Sequence, residues 1–335
     1  MVKITSVGGL TNLGELRHVV RSLTNLKVAN CVEFKLKVAE FDVRARRIGA
    51  VTESVQEQFK GRRRLVSLGV VALAIVAGVI ASPAFGKSPL GKKWGRAELV
   101  SMDDIDHSSF DKLLKKYVDR DGYVDYFAWQ RSRADRSSLQ NYLSMLSRAT
   151  PSKKASKDAQ LAFWINAYNA VTLEGIMQVY PTSSIRKHTA KLFGYNIWQD
   201  LPLWVGDNKY SLENIEHKVL RKMKEPRIHF AIVCASVGCP RLRNEAYFAK
   251  RLEKQLADNS KDFFSRSQNF RMNGNRLYVS SILKWFASDF GASQAARFQY
   301  LQPYLPDAAK QVAVQSGTRI SYLDYDWLLN DQRKK

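Results

Sequence analysis

Hydrophobic and polar positions change rhythm several times along this 335-residue chain. Residues 1–64 carry mixed charge and no clear period. Arg62-Arg63-Arg64 then precedes an apolar run from Leu65 to Phe85, interrupted only by small residues and Pro83. About twenty such residues suffice to cross a bilayer, and basic residues in front with none just behind place the N-terminus in the cytoplasm. The run ends in Ala81-Ser82-Pro83-Ala84-Phe85-Gly86, which also offers a small-x-small cleavage site after Ala84. Residues 65–86 are therefore expected to be a signal anchor or a cleaved signal peptide. Residues 1–64 are then a short cytoplasmic segment, or follow a start site placed too far upstream. Either way the rest is exported, to the bacterial inner membrane as a single-pass protein or to the periplasm and cell envelope.

Beyond the run, residues 87–107 are rich in Gly, Lys and Asp and read as a linker, with the folded part over 108–332. Short amphipathic helices are expected at 111–117 and 138–147, with a turn feeding a short strand at 119–126. The strongest helix is 158–180, with Asp158 as N-cap and Pro181 past its end. Its large side chains point all round the axis, so it is a buried helix. Asn166 and Asn169 share one face of it, where a buried amide needs partners. They either tie down a neighbouring loop or serve a binding site. Residues 188–206 are aromatic and irregular, with Phe193, Tyr195, Trp198 and Trp204, like a lid or a packed loop.

Ser211 caps an expected helix over 212–224. At 100° per residue, Glu216 falls within the apolar stripe of Leu212, Ile215, Val219, Leu220 and Met223, and His217 to its side. A carboxylate there must be ion-paired, hydrogen-bonded or neutral. Residues 228–234 form a β-branched apolar run read as a buried strand, and 235–240 the turn that ends it. A basic helix at 245–259, a hairpin around Asn273-Gly274, helices at 282–290 and 300–314 and a closing strand at 319–327 complete the pattern. This predicts one α+β domain whose buried central helix packs on a mixed or antiparallel sheet.

The formal charge of +22 is spread along the chain and not gathered in one arm. No helix-turn-helix, zinc-finger or stacking-platform signature accompanies it, which argues against nucleic acid and for solubility or attraction to anionic membrane or wall polymer. No cofactor motif is present.

The candidate chemistry lies in His229, Cys234 and Cys239. Cys239 follows a glycine in a turn, where a thiol can be exposed, whereas Cys234 ends the expected strand. His229 and Cys234 are five apart and would face opposite sides of a strand, so Cys239 is the better partner for His229. Either thiol could be a nucleophile. The two could instead form a disulfide in an oxidising compartment, structural or redox-active. A zinc site of His217, His229, Cys234 and Cys239 is a third arrangement, with looser spacing than a zinc knuckle. All five histidines precede Cys234 and Cys239, so the Cys-then-His order of papain-like and transglutaminase-like enzymes does not apply without permutation.

Six segments occur in one order: Phe163–Ala170, Ser211–His217, His229–Cys234, Gly238-Cys239-Pro240, Leu283–Phe286 with Asp289-Phe290-Gly291, and Tyr322–Trp327. Together they resemble the family catalogued as domain of unknown function 547, from about Phe110 to Asn330. The resemblance implies an exported bacterial member and brings no assigned activity. The expected function is a cysteine-dependent hydrolase or transferase using Cys239 or Cys234 with His229, supported by His217 and Glu216. The alternative is a non-catalytic envelope binding domain with a Cys234–Cys239 disulfide, in which Asn166, Asn169, Trp198 and Trp204 contact an envelope substrate or protein partner.

Overall fold

The structure, a computed structural model, describes residues 88–190 and 195–335. Cys31, the apolar run at 65–85 and Phe193 lie outside the described residues. Among the described residues no helix is long and apolar enough to cross a membrane.

The described chain is α+β, with helices and two small sheets. Helices α1 (Ser108–Tyr117), α2 (Tyr126–Arg131) and α3 (Arg133–Leu146) lead to α4 (Lys157–Val179). Asp125 accepts the Ala128 amide and starts α2 where a strand was expected, since an Asp at that place satisfies a free helix-end N–H. Ser156 likewise caps α4 by accepting from the Ala159 amide, so Asp158 sits inside the first turn, where its charge favours the helix dipole. Helix α4 ends at Val179 with Tyr180 extended, as a residue before proline must be. Its side chains from Leu161 to Met177 are all buried. Buried Glu174 on α4 is held by Arg136 of α3 through a fork of 2.7 and 2.9 Å, so no charge is left unpaired there.

Residues 88–107, expected as a linker, run along the domain with Leu99, Met102, Ile105 and His107 buried. The aromatic segment contains a hairpin of β1 (Leu203–Val205) and β2 (Asn208–Tyr210). Helix α5 (Leu252–Ser265) starts later than its basic pattern suggested. Strands β3 (Phe270–Asn273) and β4 (Arg276–Ser280) form the expected hairpin, turning at Gly274, whose φ of +56° favours glycine. After α6 (Gln294–Leu301) and α7 (Asp307–Val314), β5 (Arg319–Leu323) pairs parallel to β4, so this sheet is mixed.

Two corrections shape the site. The expected strand at 228–234 is a 3-10 turn, Pro226–Phe230, followed by an irregular run. Its backbone groups are satisfied by side chains instead of a neighbouring strand. Asn169 donates to the Ala231 carbonyl and accepts from the Val233 amide, and Asn259 donates to the Phe230 carbonyl. Helix α4 therefore does not pack on a sheet containing this segment. It lies in one apolar cluster with α1–α3, while the three-stranded sheet packs in a second with Phe263, Phe264, Phe290 and Phe298. The segment after Pro226 is the seam: Phe230 belongs to the second cluster, and Ile228, Ala231 and Ile232 to the first.

Candidate functional site

A cleft of about 340 Å³ opens along this seam, with Cys234 and Cys239 among its lining residues. The loop that carries them bends sharply because Ala235 adopts φ +61°, strained for a residue with a side chain. The C-terminal segment runs alongside it. The amides of Val237 and Gly238 donate to the carbonyls of Leu328 and Asp326 at 2.8 Å, and the Asn330 amide donates to the Ala235 carbonyl. A side chain at Gly238 would stand 2.8 Å from the Asp326 amide nitrogen, so only glycine permits this approach. The approach brings the Tyr325 hydroxyl to 3.1 Å from Cys239 Sγ.

Both cysteines are free thiols, with their sulfurs 2.7 Å apart. Cys239 Sγ also accepts from the Cys234 amide at 3.0 Å and lies 3.4 Å from Ser236 Oγ. Burial alone would raise the Cys239 pKa, but hydrogen bonds from Cys234, Ser236 and Tyr325 outweigh it and bring the thiol below its ordinary 9.0. Cys234 moves the other way, raised first by its hydrogen bond to Cys239 and then by burial. The hydrogen bonds thus favour ionisation at Cys239 over Cys234. The Cys234 amide, a donor that cannot rotate away, fixes that order. Ser236 has one proton to share among Tyr325 (3.0 Å) and the sulfurs, so these donors act in turn. The relative exposure expected from the sequence is reversed: Cys239 is 7% exposed, and Cys234 is half-buried.

His229 lies on the same cleft, stacked on Phe286 with ring centroids 4.0 Å apart. Its Nε2 is 2.8 Å from Asp289 Oδ2, and Arg221 grips the same carboxylate through Nε (2.6 Å) and Nη2 (2.7 Å). Burial pushes His229 down to about 4 against the pull of Asp289. Burial would raise Asp289, but Arg221 and His229 together hold it at about 2. Near neutral pH the imidazole is therefore neutral and the carboxylate ionised. An ionised carboxylate only accepts, so Nε2 carries the proton and Nδ1 keeps its lone pair. His217, exposed, completes the row with Nδ1 3.2 Å from Arg221 Nη1.

The π-helical turn Asn214–Val219 carries Glu216, half-buried, on the cleft wall. Its wider i→i+5 spacing turns side chains away from their 100° positions. Tyr168 donates to Glu216 Oε2 at 3.3 Å, burial raises the carboxyl, and among the described residues no Arg or Lys pairs with it. Trp198 lines the cleft. Trp204 does not; it sits on β1 with Lys209 4.8 Å over its ring. Asn166 binds both backbone groups of Tyr247, at 2.8 and 2.9 Å, and like Asn169 braces backbone. Among the described residues no group of three or more His, Cys, Asp or Glu side chains is placed to hold a metal ion, so the four-residue zinc set is not assembled.

Sequence reasoning passed over Asp289, Tyr325, Tyr168, Trp285, Phe286 and Trp327. Five of these six lie in the Leu283–Gly291 and Tyr322–Trp327 motifs and Tyr168 in Phe163–Ala170, which offered the signal.

Residues 152–264 match the sequence model of the family described as "Protein of unknown function, DUF547", so the resemblance holds over that stretch. It contains Glu216, His217, His229 and both thiols; Asp289 and Tyr325 come from beyond it. No curated protein and no solved structure matches the chain.

Proposed function

We propose that this cleft is the active site of a thiol-dependent hydrolase or transferase, with Cys239 as nucleophile and His229 as proton carrier. One observation carries the reading: the Cys234 amide, the Cys234 thiol and two hydroxyls all face Cys239 Sγ, at 2.7–3.4 Å. A thiol inclined to ionise, on the same cleft as a histidine that is itself oriented by a carboxylate, supplies the parts nucleophilic catalysis uses. The thiolate attacks an acyl carbon, the bond to the leaving group breaks, and a thioester forms on Cys239. The leaving group takes a proton, for which the Cys234 thiol is the adjacent source. Water or an acceptor then attacks the thioester, giving its proton to His229 Nδ1, and the Cys239 thiolate departs; the proton on His229 then passes to the Cys234 thiolate, which restores the resting pair. Envelope placement is part of the same proposal and rests on the apolar run Leu65–Phe85.

The sulfur–sulfur contact of 2.7 Å favours a second reading, a Cys234–Cys239 disulfide in a binding domain. Intact mass of the full chain, alkylated with and without reductant, separates the two. Two free thiols, one alkylating quickly at neutral pH, followed by an acyl adduct on Cys239 from a simple thioester donor, support the enzyme. A chain isolated only as the intramolecular disulfide, unreactive to acyl donors after reduction, sinks it.

A further inference from the structure

The chain carries 53 Lys and Arg against 31 Asp and Glu, yet none of the residues lining the cleft is Lys or Arg. Its carboxylates are Glu213, exposed, and Glu216, half-buried. The nearest cations are engaged: Arg221 is forked onto Asp289, and Arg186 covers Trp327 at 5.2 Å. The walls are aromatic. Trp285 is 49% exposed although it packs on Tyr325 (4.9 Å), and Trp198 faces the same space. The two indoles on one cleft wall offer an aliphatic stem a surface to pack on. Ring faces beside carboxylates attract a positive charge; His217 and Arg221 act on Glu216 electrostatically, but among the described residues no Arg or Lys forms an ion pair with it.

We infer that the cleft binds a primary ammonium group on an aliphatic stem, of the lysine side-chain type, between Glu216 and Glu213 with its stem against Trp198 and Trp285. Calling this group part of the substrate rests on the proposed thiol chemistry; the binding itself does not. The donor geometry distinguishes the class. Tyr168 takes one acceptor site on Glu216 Oε2, which competes with a two-pronged guanidinium more than with the single-point contact of an ammonium. A quaternary ammonium has no N–H to give a carboxylate. Burial already raises the Glu216 carboxyl, and an arriving ammonium offsets that cost by restoring a paired charge.

The test is ligand-observed NMR on the full chain under reductant, with Nα-acetyl-lysine methylamide, the neutral Nα-acetyl-norleucine methylamide and Nα-acetyl-arginine methylamide. The lysine probe is expected to bind about tenfold or more tightly than the norleucine probe, and more tightly than the arginine probe. Glu216→Gln should reduce that preference about tenfold. Exposed Glu213→Gln should weaken binding a few-fold, as should Trp285→Phe, which keeps an aromatic ring against Tyr325. Equal binding of lysine and norleucine probes, absence of binding by either, or an unchanged preference in Glu216→Gln and Glu213→Gln overturns the inference. A tighter arginine probe replaces the ammonium class and overturns it as stated. Cys239→Ser should keep the charge preference. If it does while wild-type protein never forms an acyl adduct, the thiol chemistry fails and the ammonium site stands.

Discussion

Replacing Tyr325 with Phe removes one hydroxyl and keeps the ring that packs on Trp285 and Trp327 (4.9 and 4.5 Å). The hydroxyl stands 3.1 Å from Cys239 Sγ and 3.0 Å from Ser236 Oγ. Its own pKa is raised well above 10 by burial and the two cysteines, so it remains a proton donor at neutral pH. A hydrogen bond to a charged acceptor contributes about 1.5–3 kcal/mol, and one pKa unit corresponds to about 1.4 kcal/mol. In the variant Ser236 is released from Tyr325 and can turn its proton to Cys239, 3.4 Å away, so the lower end applies. The Cys239 pKa should therefore rise by about one unit. Thiolate would fall about tenfold at any pH below both midpoints, but a more basic thiolate is about threefold more nucleophilic, given a Brønsted slope of about 0.4–0.5. The net expectation is a roughly threefold slower alkylation on the acid side, a midpoint about one unit higher and a faster alkaline plateau. The assay is iodoacetamide labelling of the reduced full chain across pH, resolved to Cys239 by peptide mass spectrometry. A midpoint that stays put or moves down would refute the hydrogen-bond account, as would a wild-type midpoint at or above the ordinary thiol value of 9.0.

Three further outcomes follow from the same geometry. His229 and His107 are buried and neutral, each held down to about 4 by burial, so the unfolded chain takes up protons first as pH falls from 6.5. Stability should drop between pH 6.5 and about 4, by on the order of 2–3 kcal/mol per histidine, and His229→Gln should show a shallower loss in urea melts at pH 7 and pH 4.5. Asn169→Ala strips the Ala231 carbonyl and Val233 amide of their buried partner, and chemical denaturation should show a loss of about 2–4 kcal/mol. Gly238→Ala drives a Cβ to within 2.8–3.0 Å of Asp326 backbone, so the C-terminal segment must shift. Its Cys239 alkylation midpoint should move up with that of Tyr325→Phe; a wild-type profile would detach Gly238 from the site.

The parts of this protein legible in its sequence are those decided locally. Helix α4 was readable because 23 residues of apolar character end at a Pro, and the hairpin because Asn273-Gly274 supplies the turn. Where long-range partners decide, the pattern misled. The Ile228–Cys234 run says "buried", and a strand is the common way to satisfy buried backbone, but Asn169 and Asn259 do that work with side chains. The amides on α4 were noticed and their bracing role weighed; which loop they brace needs residues 62 to 81 positions away. A regular helix puts Glu216 among apolar neighbours; the segment is a π-helical turn in which Glu216 lines the cleft and accepts from Tyr168.

The site itself explains why one stretch could suggest it and not complete it. The segment from His229 to Pro240 supplies the proposed nucleophile, the imidazole and the Cys234 amide, all inside the part that matches the family. What gives these groups chemical direction arrives from the second apolar cluster's side of the seam. Asp289 fixes the imidazole tautomer, and Tyr325 adds a donor to the thiolate. The fork from Arg221 to Asp289 and the hydrogen bonds from the thiol loop to Asp326 and Leu328 are thus more than packing. They register the two clusters across the cleft, and an error of an ångström there would separate a donor from its sulfur. Reactivity of Cys239 should therefore respond to substitutions at the seam that leave both thiols and His229 untouched.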